Sequence, residues 1–154
     1  MELEVRFETG QLQRILLVAR NEIANPERIL RSLGEELFRV NTKRHNAGLD
    51  PDGRAWAPLS QVTLSQGKRK GGPLKKTGRM LGSFHPAVVG DTLILGFDEP
   101  RIQGRLPSIH NAGTEKTGRH PGIPKRALIG FPLTDQELIK NVTNAHFKHI
   151  LNGI

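Results

Sequence analysis

Cysteine and tyrosine are both absent from the 154 residues, and tryptophan occurs once. Without cysteine the chain has no disulfide, no thiolate nucleophile and no cysteine-ligated zinc. No apolar run approaches the roughly 20 residues that cross a bilayer, so a membrane is not among the expected partners. The opening stretch MELEVRFETG has no basic region followed by an apolar one, so a secretory signal is not expected. This composition suits a soluble protein that matures inside a cell. Acidic residues are missing between Gly53 and Gly90, where Arg54, Lys68, Arg69, Lys70, Lys75, Lys76 and Arg79 contribute +7 of the net +8. A basic segment of this kind attracts polyanions through counterion release, although a solvated surface loop reads the same way.

What is present fits a single α+β domain over 1–154, since 36% hydrophobic and 25% charged residues suffice for a core. Leu3, Val5 and Phe7 alternate with charged neighbours, which predicts a half-buried strand. Leu12, Ile15, Leu16, Ala19 and Ile23 then fall at helical spacing. Asn25 as cap, Pro26 at the first helical position and Glu27 in the first turn announce a second helix. Its stripe is Ile29, Leu30, Leu33, Leu37 and Val40, and it stops before Gly48. The two helices are expected to form a hairpin against a sheet.

Leu49 to Thr63 reads as turns, and the glycine-rich basic stretch that follows reads as a mobile arm over about 64–76. Thr77 is a candidate cap for a short helical turn. AVVGDTLILGF predicts a hairpin around Gly90-Asp91. Asp98 to Gly122 is expected to be loop, and IPKRALIGF to resume strand character. Thr134 and Glu137 have the spacing of a capping box opening a last helix. On that helix Leu138, Val142, Ala145 and His149 share a face, and Asn152-Gly153 supplies the stop. The fold class is therefore α+β: a small, mainly antiparallel sheet, two N-terminal helices, a C-terminal helix and a mobile basic loop.

The chemistry-bearing motifs are few. Asp50-Pro51-Asp52-Gly53 starts like a calcium loop but lacks the further ligands and the Glu at position twelve, so it reads as a turn delivering Trp56. His146 and His149 lie three apart on the last helix, and His110 and His120 share a loop. No zinc spacing singles them out, and surface or hydrogen-bonding histidines are the expectation. There is no G-x-S-x-G, no Walker loop and no G-x-G-x-x-G. No enzyme, cofactor or metal is expected. Sequence-specific nucleic-acid reading is not expected either, because the six phenylalanines do not interleave with basic residues as a stacking ladder. Non-specific DNA binding through segment 54–79 is the alternative function.

Five stretches in order, DPDGRAWAPLSQVT, LKKTGRMLGSF, GDTLILGF, IHNAGT and IPKRALIGF, resemble the phage virion morphogenesis family. This family includes Mu-like G proteins and the tail-completion proteins of tailed phages. Two stretches depart from its pattern: RIQGRLPSIH is longer and lacks an aromatic, and Lys125-Arg126-Ala127-Leu128 lacks a proline and an aromatic. The resemblance implies a structural subunit that completes the tail or joins it to the head. It implies a homo-oligomeric ring, with a hexamer as the expectation, against tail-tube, tail or head–tail connector proteins. The location implied is the virion tail or neck, with assembly in the host bacterial cytoplasm.

No catalytic residues carry over from the family. Pro51, Gly53, Trp56, Pro58, Leu59, Leu74, Thr77, Gly78, His110, Gly113, Pro124, Arg126 and Gly130 match the pattern as scaffold or interface positions. The seven cations Arg54, Lys68, Arg69, Lys70, Lys75, Lys76 and Arg79 are the candidate assembly- or DNA-facing residues. Gln66 to Lys76 is the expected arm towards a neighbouring subunit or packaged DNA.

Overall fold

A computed structural model of the chain describes residues 9–66, 71–98, 105–119 and 121–153. The strand expected at Leu3 to Phe7 lies outside these residues, as do Lys68, Arg69 and Lys70 of the basic arm.

Helix α1 spans Thr9–Ala24 and α2 Glu27–Ala47. The break falls at Asn25-Pro26, because proline at 26 cannot donate a backbone hydrogen bond to continue α1. Asn25 does not cap α2. Its side-chain amide turns back to the Asn21 carbonyl (3.2 Å), and Pro26 takes the N-terminal position. Gly48, in the left-handed region (φ 73°), ends α2 by donating to the carbonyls of Arg44 and His45. The buried face of α2 runs Leu33, Leu37, Asn41 and His45, so the apolar stripe continues into two polar residues.

After two short helices, α3 (Gln61–Ser65) and α4 (Arg79–Gly82), the chain forms a hairpin of β1 (Phe84–Val89) and β2 (Thr92–Phe97). It turns at Gly90-Asp91 as the sequence predicts. The register pairs Phe84 with Phe97, Pro86 with Leu95 and Val88 with Leu93 on the face that meets α2. Gly34 of α2 faces Leu93 and Pro86 there. Helix α5 (Leu106–Ala112) and the long α6 (Leu133–Leu151) complete the fold.

The core is Trp56, Met80 and Leu128 with Leu74, Leu81 and Phe97 packed against it. An aromatic cluster adjoins it: His45 stands edge-on to Phe84 (centroids 5.1 Å) and 5.9 Å from both Trp56 and Phe97.

Helix α1 packs against α6 rather than along α2, so the expected N-terminal helix hairpin does not form. Glu22 fixes this arrangement by accepting from His146 (2.9 Å) and pairing with Arg28 (3.4 Å). At the other end of α2, Arg44 grips Asp135 of α6 with two nitrogens (2.8 and 2.5 Å) and donates to the Thr134 hydroxyl (3.1 Å). Thr134 therefore serves this tie and caps nothing. The N-terminal position of α6 belongs to Pro132, whose carbonyl accepts from Asp135 and Gln136. The inward face of α6 also differs from expectation: Asp135 is buried and Leu138, Val142, His146 and Ile150 are half-buried, while Ala145 and His149 are exposed.

Candidate functional site: a side-chain clamp and an exposed basic surface

Asp50-Pro51-Asp52-Gly53 forms the turn its composition dictates. Gly53 donates to the Asp50 carbonyl (3.0 Å), and the Asp50 carboxylate accepts from the Arg54 backbone (2.8 Å). Leu49 and Ala55 then meet in an antiparallel bridge, and Trp56 donates its backbone N–H to the Gly48 carbonyl (2.8 Å). The turn thus ties Trp56 to the end of α2 and aims its indole inward, where the residue is only 6% exposed.

The segment from Ile123 to Phe131 is extended but is not assigned as the strand expected; apart from a bridge between Thr114 and Ile123 it has no ladder partner among the described residues. Side chains take the ladder's place. The Trp56 indole donates to the Ala127 carbonyl (2.8 Å), and His45 Nε2 donates to the Leu128 carbonyl (2.9 Å). Asn111 Oδ1 accepts from the backbones of Leu128 (2.8 Å) and Ile129 (3.3 Å). The Arg126 backbone donates to the His110 carbonyl (2.7 Å). The buried Arg126 guanidinium returns the grip, donating to the carbonyls of Ala57 (2.7 Å) and Pro58 (2.9 Å). Buried backbone polar groups demand partners, and here the partners come from α2, the Trp56 turn and α5.

His45 is neutral in this role. Burial pushes its pKa below the ordinary 6.5, the bond to Leu128 opposes that fall, and the charge of Arg44 adds to it. Neutral imidazole donating to a carbonyl must carry its proton on Nε2.

Of the other matched positions, some adjoin the clamp and some do not. The stretch expected to be loop from Asp98 to Gly122 contains α5, which carries His110 and Asn111. Gly113 follows at φ 76°, and a Cβ there would stand 2.8 Å from the Lys125 nitrogen, so only glycine lets the two chains pass this closely. A Cβ on Gly130 would meet the buried Pro51 ring at 2.9 Å. Pro124 is exposed at the start of the clamped segment, and Leu59 is half-buried. Thr77 and Gly78 are exposed. Thr77 Oγ1 reaches the Arg79 nitrogen only at 3.4 Å, and Gly78 rather than Thr77 precedes α4.

The basic residues divide into two kinds. Arg54, Lys76 and Arg79 are exposed. Lys75 is half-buried, and its ammonium donates to the Asn46 carbonyl in the last turn of α2 (2.5 Å), where a cation complements the helix dipole. Leu74, at φ 66°, packs on the core beside it. Leu64 and Ser65 end α3, which the Ser60 hydroxyl caps by accepting from Thr63 (3.2 Å). At one end of the expected 64–76 arm Leu64 and Ser65 thus fall in α3, and near its other end Leu74 and Lys75 contact the core and the end of α2.

An open groove of about 400 Å³ lies between the Trp56 turn and the clamped segment. Among the described residues its lining offers the carboxylates of Asp50 and Asp52 and the cations Arg54, Lys125 and Arg126, with no hydroxyl or imidazole. Among the described residues, no three His, Asp or Glu side chains gather as a metal site. His146 is engaged with Glu22 while His149 is exposed, so the two do not converge.

Sequence reasoning passes over His45 and Asn111. For His45 a signal exists: Leu37, Asn41 and His45 continue the buried stripe of α2 at intervals of four, and polar residues on an apolar face need buried partners. For Asn111 no local signal exists.

These features define an α+β domain whose buried Asn41, His45 and Arg126 side chains are spent on fixing its own backbone. Several of its matched positions, Trp56, Gly113, Arg126 and Gly130 among them, lie in or against the clamped segment. The family model of the phage virion morphogenesis family matches residues 7–148, and the chain belongs to that family. No curated protein and no solved structure matches it. Family membership carries a role in building the phage particle. Among the described residues no helix is long and apolar enough to cross a membrane.

Proposed function

We propose that this chain is a non-enzymatic structural subunit that acts in tail completion or head–tail joining as a closed homo-oligomeric ring. The observation that carries the reading is where its polar and apolar groups are spent. Trp56, His45, Asn111 and Arg126 are committed to holding backbone, while Leu12, Leu16, Ile23, Phe131 and Leu133 are left exposed. A rigid body with large uncovered apolar side chains is suited to contacts with other subunits. Exposed Arg54, Lys76 and Arg79 make the surface compatible with nearby packaged DNA without a need for sequence reading. The site in the virion is the tail or neck, and the partners are tail-tube or connector proteins.

Negative-stain electron microscopy and native mass spectrometry of the purified protein test this reading. Closed rings, or binding to tail tubes, are the expected result. A monomer that binds DNA with a steep salt dependence, and forms no ring with or without tails, refutes it in favour of a free DNA-binding module. Bound stoichiometric metal with hydrolytic activity refutes it in favour of an enzyme.

A further inference from the structure

Helix α1 uses only one edge of its apolar face. Ile15, Val18 and Ala19 are half-buried, whereas Leu12, Leu16 and Ile23, which fall within about 40° of one another on the helix, remain 55–70% exposed. A second uncovered apolar surface is the ridge leading into α6, where Ile129, Phe131 and Leu133 are 40–75% exposed. The two surfaces join the body at opposite ends of α2. Ile23 adjoins Glu22, which is bound to Arg28 in the first turn of α2, and Leu133 adjoins the Arg44–Asp135 tie in its last turns. Sixteen residues of helix between Arg28 and Arg44 separate these anchors by about 24 Å.

We infer that the α1 stripe of one copy packs on the Ile129–Leu133 ridge of the next copy, a head-to-tail contact between unlike surfaces. The inference rests on the ring reading and deepens it by naming the surfaces. Each patch exposes roughly 350 Å² of apolar side chain, within the range at which an exposed patch marks an interaction site. Together they supply roughly 700 Å², about three quarters of the apolar share of a standard interface of about 1,600 Å². A second copy is the occupant that supplies both surfaces in equal number. Stripe-to-ridge contact leaves one free stripe and one free ridge at the ends of any open chain of subunits. Only closure satisfies every copy, and that is the geometry of a ring.

The test uses two full-length variants. Leu16→Glu with Ile23→Glu disables the stripe, and Phe131→Glu with Leu133→Glu disables the ridge. All four positions are exposed, so far-UV circular dichroism should match the wild type and each variant should still melt cooperatively, at a lower temperature only by what association adds to the wild type. By sedimentation velocity the wild type is expected to assemble, each variant alone to remain monomeric, and the mixed variants to form a 1:1 dimer that grows no further. That dimer joins the intact ridge of one variant to the intact stripe of the other. Rings that persist in either folded variant overturn the stripe–ridge contact while leaving the ring reading intact. A variant pair that stays monomeric on mixing also overturns it, as does self-association by only one of the two variants. A wild type that is monomeric at every concentration, alone and with tails, overturns both.

Discussion

Replacing Trp56 in two ways separates its packing from its hydrogen bond. The indole is 6% exposed, lies against the core of Leu128 and Met80, and donates to the Ala127 carbonyl at 2.8 Å. Trp56→Ala removes both contributions, and large-to-small changes of this kind cost about 3–5 kcal/mol. At about 2–4 °C per kcal/mol for a chain of this length, the melting temperature should fall by roughly 6–20 °C. Trp56→Phe keeps most of the apolar body and deletes the N–H, leaving the Ala127 carbonyl without its donor. Such an orphan costs about 1–3 kcal/mol, and the lower half applies because Ala127 is half-buried and within reach of water.

The assay is urea unfolding followed by far-UV circular dichroism at a protein concentration where subunits do not associate. The midpoint should move and the slope should not. Wild-type tryptophan emission should be blue-shifted and change only across the same transition. Two results refute the reasoning. A Trp56→Ala cost below about 1 kcal/mol removes Trp56 as an anchor, and a Trp56→Phe variant as stable as the wild type removes any separate role for the hydrogen bond.

Other parts of the clamp and the helix ties give independent tests. Asn111→Ala strands the Leu128 N–H, on a residue only 1% exposed, and should cost about 1–3 kcal/mol by urea unfolding; Asn111→Asp keeps an acceptor and should recover much of it. Equal losses for the two would place the effect elsewhere than in that bond. His45 binds its proton less tightly folded than unfolded, so its contribution is complete above about pH 6.5. Stability then declines, by at most about 1.4 kcal/mol per pH unit, as pH falls from there to the lowered native pKa. His45→Gln should flatten that part of the stability–pH curve, and an unchanged slope would count against it. Gly113→Ala forces a Cβ towards the Lys125 nitrogen at φ 76° and should cost at least about 1–3 kcal/mol in a thermal melt; a neutral result contradicts the close approach. Asp135→Ala leaves the half-buried Arg44 guanidinium without its carboxylate partner and should cost up to about 3–5 kcal/mol. A loss under 1 kcal/mol would mean that water or another acceptor takes over.

The elements legible in the sequence are those whose signals are local. Helix α2 carries its own stripe and its own stop at Gly48, and the hairpin carries Gly90-Asp91 between two β-rich runs. The Asp50–Gly53 turn and the burial of Trp56 follow from composition in the same way. The segment Ile123 to Phe131 defeats such reading because its extended shape is local while its partners are not. Nothing within it indicates that Asn111, Trp56 and His45 will stand where a neighbouring strand would. Thr134 and Glu137 mislead for a related reason: the capping spacing is genuine, but Arg44, ninety residues away, claims the hydroxyl. Helix α5 is short and sits among glycines and prolines, which mask its helical character.

The clamp also has a consequence for how this chain matures. Its bonds join residues 71 and 83 positions apart, and the Arg44–Asp135 tie spans 91. Contacts of such long range delay folding, because the intervening chain must be closed into a loop before any of them forms. During synthesis, α2 and the Trp56 turn wait without their partners until residues 127–135 have left the ribosome. The Phe131–Leu133 ridge arrives with that same stretch. A truncated product therefore lacks both its lock and one of the two surfaces proposed for assembly, so on that proposal completion of the chain precedes its entry into a larger structure.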